Sequence, residues 1–144
     1  MSLRIGSAAA IAVAAAAALA LPAAAARAEG IAAKPVFGEK LPNVPGKTLT
    51  AVVVDFAPGA TDTAHRHAGS VFVYVLEGAI RSQVSGDGPA RVYRAGETFF
   101  EPPGSTHLVG ENASATEPAR ILAVFVADDG ATLTSRGGGD ATGR

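Results

Sequence analysis

Short runs of Val, Ile, Phe and Tyr, each closed by a glycine or proline turn before it reaches helical length, leave this chain little choice but strands. "TLTAVVVDF" stops at Pro58-Gly59, "SVFVYVLEG" at Gly78, and "AIRSQV" at "SGDGP". "ARVYRAGETFFEPPG" breaks at Ala95-Gly96, and "THLVG" and "ARILAVFVADDG" follow in the same manner. β-Branched and aromatic residues suit a pleated, half-buried surface. No stretch beyond the leader keeps the roughly 3.6-residue period of a helix for three turns. Short strands at this spacing predict an all-β sandwich or barrel.

The leader is a separate matter. One early charge at Arg4 precedes an apolar run from Ala8 to Leu21, and the small-residue site Ala26-Arg27-Ala28 comes directly before Glu29. That order predicts a secretory signal peptide over 1–28. A retained anchor is the alternative, but the apolar run falls short of the ~20 residues of a spanning helix and Pro22 interrupts it. The chain has no cysteine, so it offers no thiol for lipid attachment and no disulfide with which to meet an oxidising compartment. An alanine-rich leader of this kind is bacterial in style, and the expected destination is the periplasm or the medium.

Removing 1–28 takes Arg4 and Arg27 from the 12 basic residues and nothing from the 13 acidic ones, which leaves a formal charge of −3. With no basic stripe or Lys/Arg cluster, nucleic acid is not an expected partner. After removal no membrane association is expected either. The remainder is the size of one domain. Its Pro/Gly/Lys-rich start, "KPVFGEKLPNVPGK", reads as an extended arm over 29–47. The strands occupy 48–128, and the glycine-rich end reads as a flexible tail over 129–144.

The histidines are His65, His67 and His107. The first two are spaced i, i+2, so on a strand they project from the same face. His107 opens another strand just after the turn "PPGST" and can reach the same point from across a barrel. Neutral imidazole is the common nitrogen ligand of zinc, copper, iron and nickel. Without a thiolate, an imidazole-plus-oxygen site is the transition-metal site open to this chain. A bare His-x-His also occurs as a solvated or hydrogen-bonded loop pair, and that reading stands beside the metal one.

"GATDTAHRHAGSVFVYVLEG" followed by "GETFFEPPGSTHLVGEN" resembles the two motifs of the cupin superfamily, small conical β-barrels of jelly-roll type. Gly59, His65, His67 and Gly78 match the first motif; Gly96, Pro102, Gly104 and His107 match the second in register. The likeness spans about Thr48 to Asp128. It implies a single-domain double-stranded β-helix with a divalent ion, iron, manganese, nickel, copper or zinc, held by the three histidines. It also implies a homodimer paired through sheets and a small-molecule ligand or substrate.

The match fails at two places, one in each motif. The family glutamate belongs seven positions before Gly78, with six residues between them, where this chain has Val71. The family asparagine position is Glu111, with Asn112 one residue later. Three consequences follow as alternatives: the histidines hold the metal alone, Glu101 supplies an oxygen from the strand before "PPG", or the site is degenerate. Gln83 is a further candidate, pointing inward as a hydrogen bonder behind the ligands. Tyr74 reads as packing between sheets, and Val71, Val73 and Val75 as an apolar interior wall.

Two functions are expected from this. One is an exported metal-dependent cupin acting on a small organic acid, phenol or thiol, dioxygenase- or isomerase-like. The other is a periplasmic cupin that binds metal or a small ligand without turnover. A structural barrel with incidental histidines is the remaining class. No catalytic residue beyond the ligands is identifiable.

Overall fold

The computed structural model describes residues 30–136. The signal peptide expected over 1–28 and the last part of the expected tail, 137–144, lie outside the described residues. Eleven strands and no helix make up the rest: β1 (Ile31–Lys40), β2 (Lys47–Phe56), β3 (Thr61–Asp62), β4 (His65–His67), β5 (Ser70–Glu77), β6 (Ala79–Val84), β7 (Arg91–Arg94), β8 (Thr98–Glu101), β9 (Thr106–Asn112), β10 (Ala119–Asp128) and β11 (Thr134–Arg136).

They form two antiparallel sheets, ordered β1-β2-β10-β5-β8 and β11-β4-β9-β6-β7, with β3 paired to β9. This is the all-β jelly roll expected, with two facing sheets rather than one continuous hydrogen-bonded cylinder. Alternation decides what lies between them. On β5, Val71, Val73 and Val75 are 0–1% exposed, while Phe72, Tyr74 and Leu76 face out. Tyr74 therefore does not pack between the sheets. The first sheet is covered on one face only, and the tyrosine lies on the open one, across from Leu122 of β10. Phe56, Ile80, Ile121 and Phe125 join the valines in one core.

Two segments expected outside the sheets lie within them. The N-terminal arm supplies β1, paired with β2 from Ile31↔Phe56 to Lys40↔Thr48 around a bulge between Pro35 and Phe37. The start of the expected tail supplies β11, paired with the histidine strand β4 through Thr134↔His67 and Arg136↔His65. Gly78 makes the β5–β6 reversal with φ +68°, and a side chain there would run into the Pro118 carbonyl. Only glycine satisfies both demands.

Asn112 accounts for the shifted asparagine. It is buried, and its Nδ2 donates to Ala57 O at 3.0 Å and Glu117 O at 2.8 Å while its Oδ1 accepts from Ser114 N at 2.9 Å. β9 pairs with β6 through a register shift between Gln83↔Val109 and Val84↔His107. Such a shift places an extra residue in the strand and resets its alternation. His107, Gly110 and Asn112 are thereby buried, and Glu111 turns outward to Arg81 at 2.7 Å.

Candidate metal centre

Strand register brings the histidines together. His65 and His67 share the inner face of β4, and His65 sits directly opposite His107 on β9. Ring centroids are 4.7 Å apart for His65–His67 and 5.0 Å for His65–His107. One ligand atom from each of the three lies within 4.8 Å of the others.

His65 and His67 are each held by the nitrogen turned away from the other ring. His65 Nδ1 donates to Thr63 O at 2.9 Å and His67 Nδ1 to Leu133 O at 3.1 Å. A carbonyl only accepts, so in the neutral rings the protons sit on Nδ1 and both Nε2 atoms carry lone pairs. Those two Nε2 atoms face each other at 3.1 Å. Two lone pairs at that distance repel unless a cation lies between them. His107 Nε2 is bonded to Ser82 Oγ at 2.9 Å, and its ring packs over Gly110, where a Cβ would lie 3.1 Å from Cε1.

Glu101 borders the cluster on the side of His67 and His107. Its Oε2 is 3.5 Å from His67 Nε2 and its Oε1 3.4 Å from His107 Nδ1, and the residue is 3% exposed. It stands on β8 directly opposite Val71 of β5. The carboxylate missing from the family position is thus present one strand away. Burial raises the Glu101 pKa to about 7. Burial, reinforced by His65, lowers His67 to about 4, and burial with the two neighbouring imidazoles lowers His107 to about 4. Protons are therefore poor occupants of the space between the imidazoles. Three nitrogens and a carboxylate are a donor set suited to a divalent transition ion, and the opposed lone pairs show that this chain's residues fit one.

Gln83 is not among these residues. Its amide donates to Gly88 O at 3.0 Å on an exposed loop. The alternation of β6 buries Ile80, Ser82 and Val84 instead. Ser82 therefore takes the position behind a ligand that sequence reasoning gave to Gln83, and the period of "AIRSQV" was the signal for it. Asp62 was also missed: its Oδ2 lies 3.6 Å from His65 Nδ1, and it accepts two bonds from Arg136 Nη2, at 2.9 Å and 2.8 Å.

A cavity of about 300 Å³ opens on the cluster, lined by β1, β2, β5 and β10 and by Leu133 to Arg136. The Phe125 ring stands edge-on to His67 with centroids 5.2 Å apart.

The family model described as Cupin domain matches residues 52–125. Among curated proteins no relative matches the chain. Of solved structures, a conserved protein with a double-stranded β-helix domain from Klebsiella pneumoniae is 22% identical, with 76% of this chain and 86% of that one covered and a TM-score of 0.58. DMSP lyase DddQ from Ruegeria pomeroyi is 24% identical over 74% of this chain and 51% of its own, with a TM-score of 0.59. Both likenesses are of fold. An oxalate oxidase in complex with the substrate analogue glycolate is 30% identical over 67% of this chain and 50% of its own, with a TM-score of 0.53. The chain thus spans about half the length of the lyase and of the oxidase.

Proposed function

The chain belongs to the cupin family, and on that premise we propose that it is an exported metal-dependent protein acting on a small organic acid, phenol or thiol. His65, His67 and His107 hold a divalent ion (iron, manganese, nickel, copper or zinc), and Glu101 contributes the oxygen that Val71 does not. The observation that carries this reading is the pair of deprotonated Nε2 atoms 3.1 Å apart, each fixed by a carbonyl behind it. Such an ion supplies Lewis acidity and, if redox-active, oxygen activation.

The chain's own residues do the rest. Thr63, Leu133 and Ser82 fix the imidazole orientations and keep the donors convergent, and the two carbonyls raise the basicity of His65 and His67. Val52, Val54 and Phe125 exclude water around the reacting end of a substrate. Burial favours the protonated form of Glu101 below about pH 7 in the metal-free protein, and a bound cation would favour its carboxylate. Similarity to an oxalate oxidase supports small-molecule chemistry at such a site. The leader over 1–28 supports export to the periplasm or medium.

The test is turnover. Metal-loaded protein is incubated with a panel of short carboxylic acids, phenols and thiols, with and without oxygen, and product formation is followed by mass spectrometry. Chelator-sensitive conversion that His107→Ala abolishes bears the reading out. Ligand binding without conversion under either atmosphere favours the non-catalytic binding cupin. That second reading rests on one observation: Asp62, the other carboxylate at the cavity, is engaged by Arg136.

A further inference from the structure

The cavity is chemically lopsided. At its floor stand three imidazoles and one carboxylate, and nearly everything above them is hydrocarbon: Val52, Val54, Phe56, Ile121, Phe125 and Leu133. The cationic side chain at its edge, Arg136, spends its guanidinium on Asp62, with Nη2 contacts at 2.9 and 2.8 Å and an Nε contact at 3.2 Å. Among the described residues no other Lys or Arg lines this space. A ligand's second anionic group would therefore be buried against apolar wall without a partner, which is costly.

Charge at the floor gives the complement. Three neutral imidazoles and one Glu101 carboxylate around a divalent ion leave a net charge of about +1, which one anionic head group neutralises. Size sets the body. At the ~30 Å³ that one water occupies in the liquid, the cavity accommodates about ten non-hydrogen atoms.

We infer that this site selects a small, predominantly apolar monoanion, a carboxylate, phenolate or thiolate whose hydrocarbon body lies against the inner face of the paired strands β2 and β10, and that it discriminates against dianions of the same length. The inference rests on the metal reading above and names the substrate class of that site. Selectivity comes from the absence of a second cationic partner, and affinity from the apolar wall.

Cobalt-loaded protein provides the test, because ligands entering the site perturb the ion's visible absorption without any need for turnover. The probes are acetate, butanoate and hexanoate, with adipate as the dianion matched to hexanoate. Affinity rises about fourfold per added methylene from acetate to hexanoate, and adipate binds at least about tenfold more weakly than hexanoate. Ala123→Leu, which fills the cavity from β10 with another apolar side chain, lowers hexanoate affinity at least about tenfold and leaves acetate unchanged. A flat series, or adipate equal to or tighter than hexanoate, overturns the inference while the metal site stands. Failure to take up cobalt overturns the metal reading and this inference with it.

Discussion

His65 and His67 present their Nε2 atoms to each other at 3.1 Å while both Nδ1 atoms donate to main-chain carbonyls. Two imidazoles fixed in that way form no hydrogen bond with each other, and burial disfavours protonation of His67. The cluster is therefore a store of unfavourable electrostatics that a cation relieves.

Metal should accordingly stabilise the fold. At an ion concentration 100-fold above Kd, binding adds about 2.7 kcal/mol, equivalent to a Tm rise of ~10 °C or more for a domain of this size. Differential scanning calorimetry of chelator-treated and reloaded protein measures it. In His67→Ala the rise should disappear, and an equal rise in that variant would place the ion elsewhere.

The metal-free protein should show a pH signature of the same cluster. His67 and His107 titrate near 4 when folded against 6.5 unfolded, so their contribution is present above 6.5 and lost as pH falls through 4. Glu101 runs the other way: raised from 4.5 to about 7, it contributes fully below 4.5 and loses that contribution as pH rises through 7. Between pH 4.5 and 6.5 the unfolded chain binds about two histidine protons more and one carboxyl proton fewer, so stability rises with pH at a slope of about one proton. In Glu101→Gln the slope should rise to about two. Denaturant midpoints across that range measure both.

Ser82 and Gln83 are sequence neighbours with opposite expectations. Ser82→Ala removes the partner of His107 Nε2 and should weaken metal binding by ~10–100-fold. Gln83→Ala removes a bond to Gly88 O on the exposed loop and should leave affinity unchanged. Competition against a chromogenic chelator compares the two.

The C-terminal strand makes its own prediction. Leu133 O and Thr134 Oγ1 both lie 3.1 Å from His67 Nδ1, and Arg136 ties the strand to Asp62. Ending the chain at Asp129 should lower metal affinity by ~10–100-fold through loss of these partners, whereas ending it at Arg136 should not. Isothermal titration with zinc distinguishes the two.

Much of this was legible in the sequence. Strand content followed from short β-branched runs, and the turns from glycines such as Gly78. His65 and His67 followed from period two, and His107 from the second motif. What could not be read was register between strands distant in sequence. Glu101 sits opposite Val71 because β5 pairs with β8, a relation that no local pattern encodes. β11 was hidden for a similar reason: "TSR" has no strand signal of its own and forms only because β4 offers an edge. Alternation along "AIRSQV" puts Ser82, and not the more polar Gln83, on the inner face. The exposed setting of Tyr74 is not legible in the sequence, which does not tell which face of a sheet is covered.

The most direct test of the central claim is metal content, measured by elemental analysis of untagged protein beside His65→Ala/His67→Ala. The account predicts close to one equivalent of a transition ion, either as purified or after reconstitution, and none in the variant. Protein that holds no ion after reconstitution, or a variant that holds as much as the parent, would contradict it.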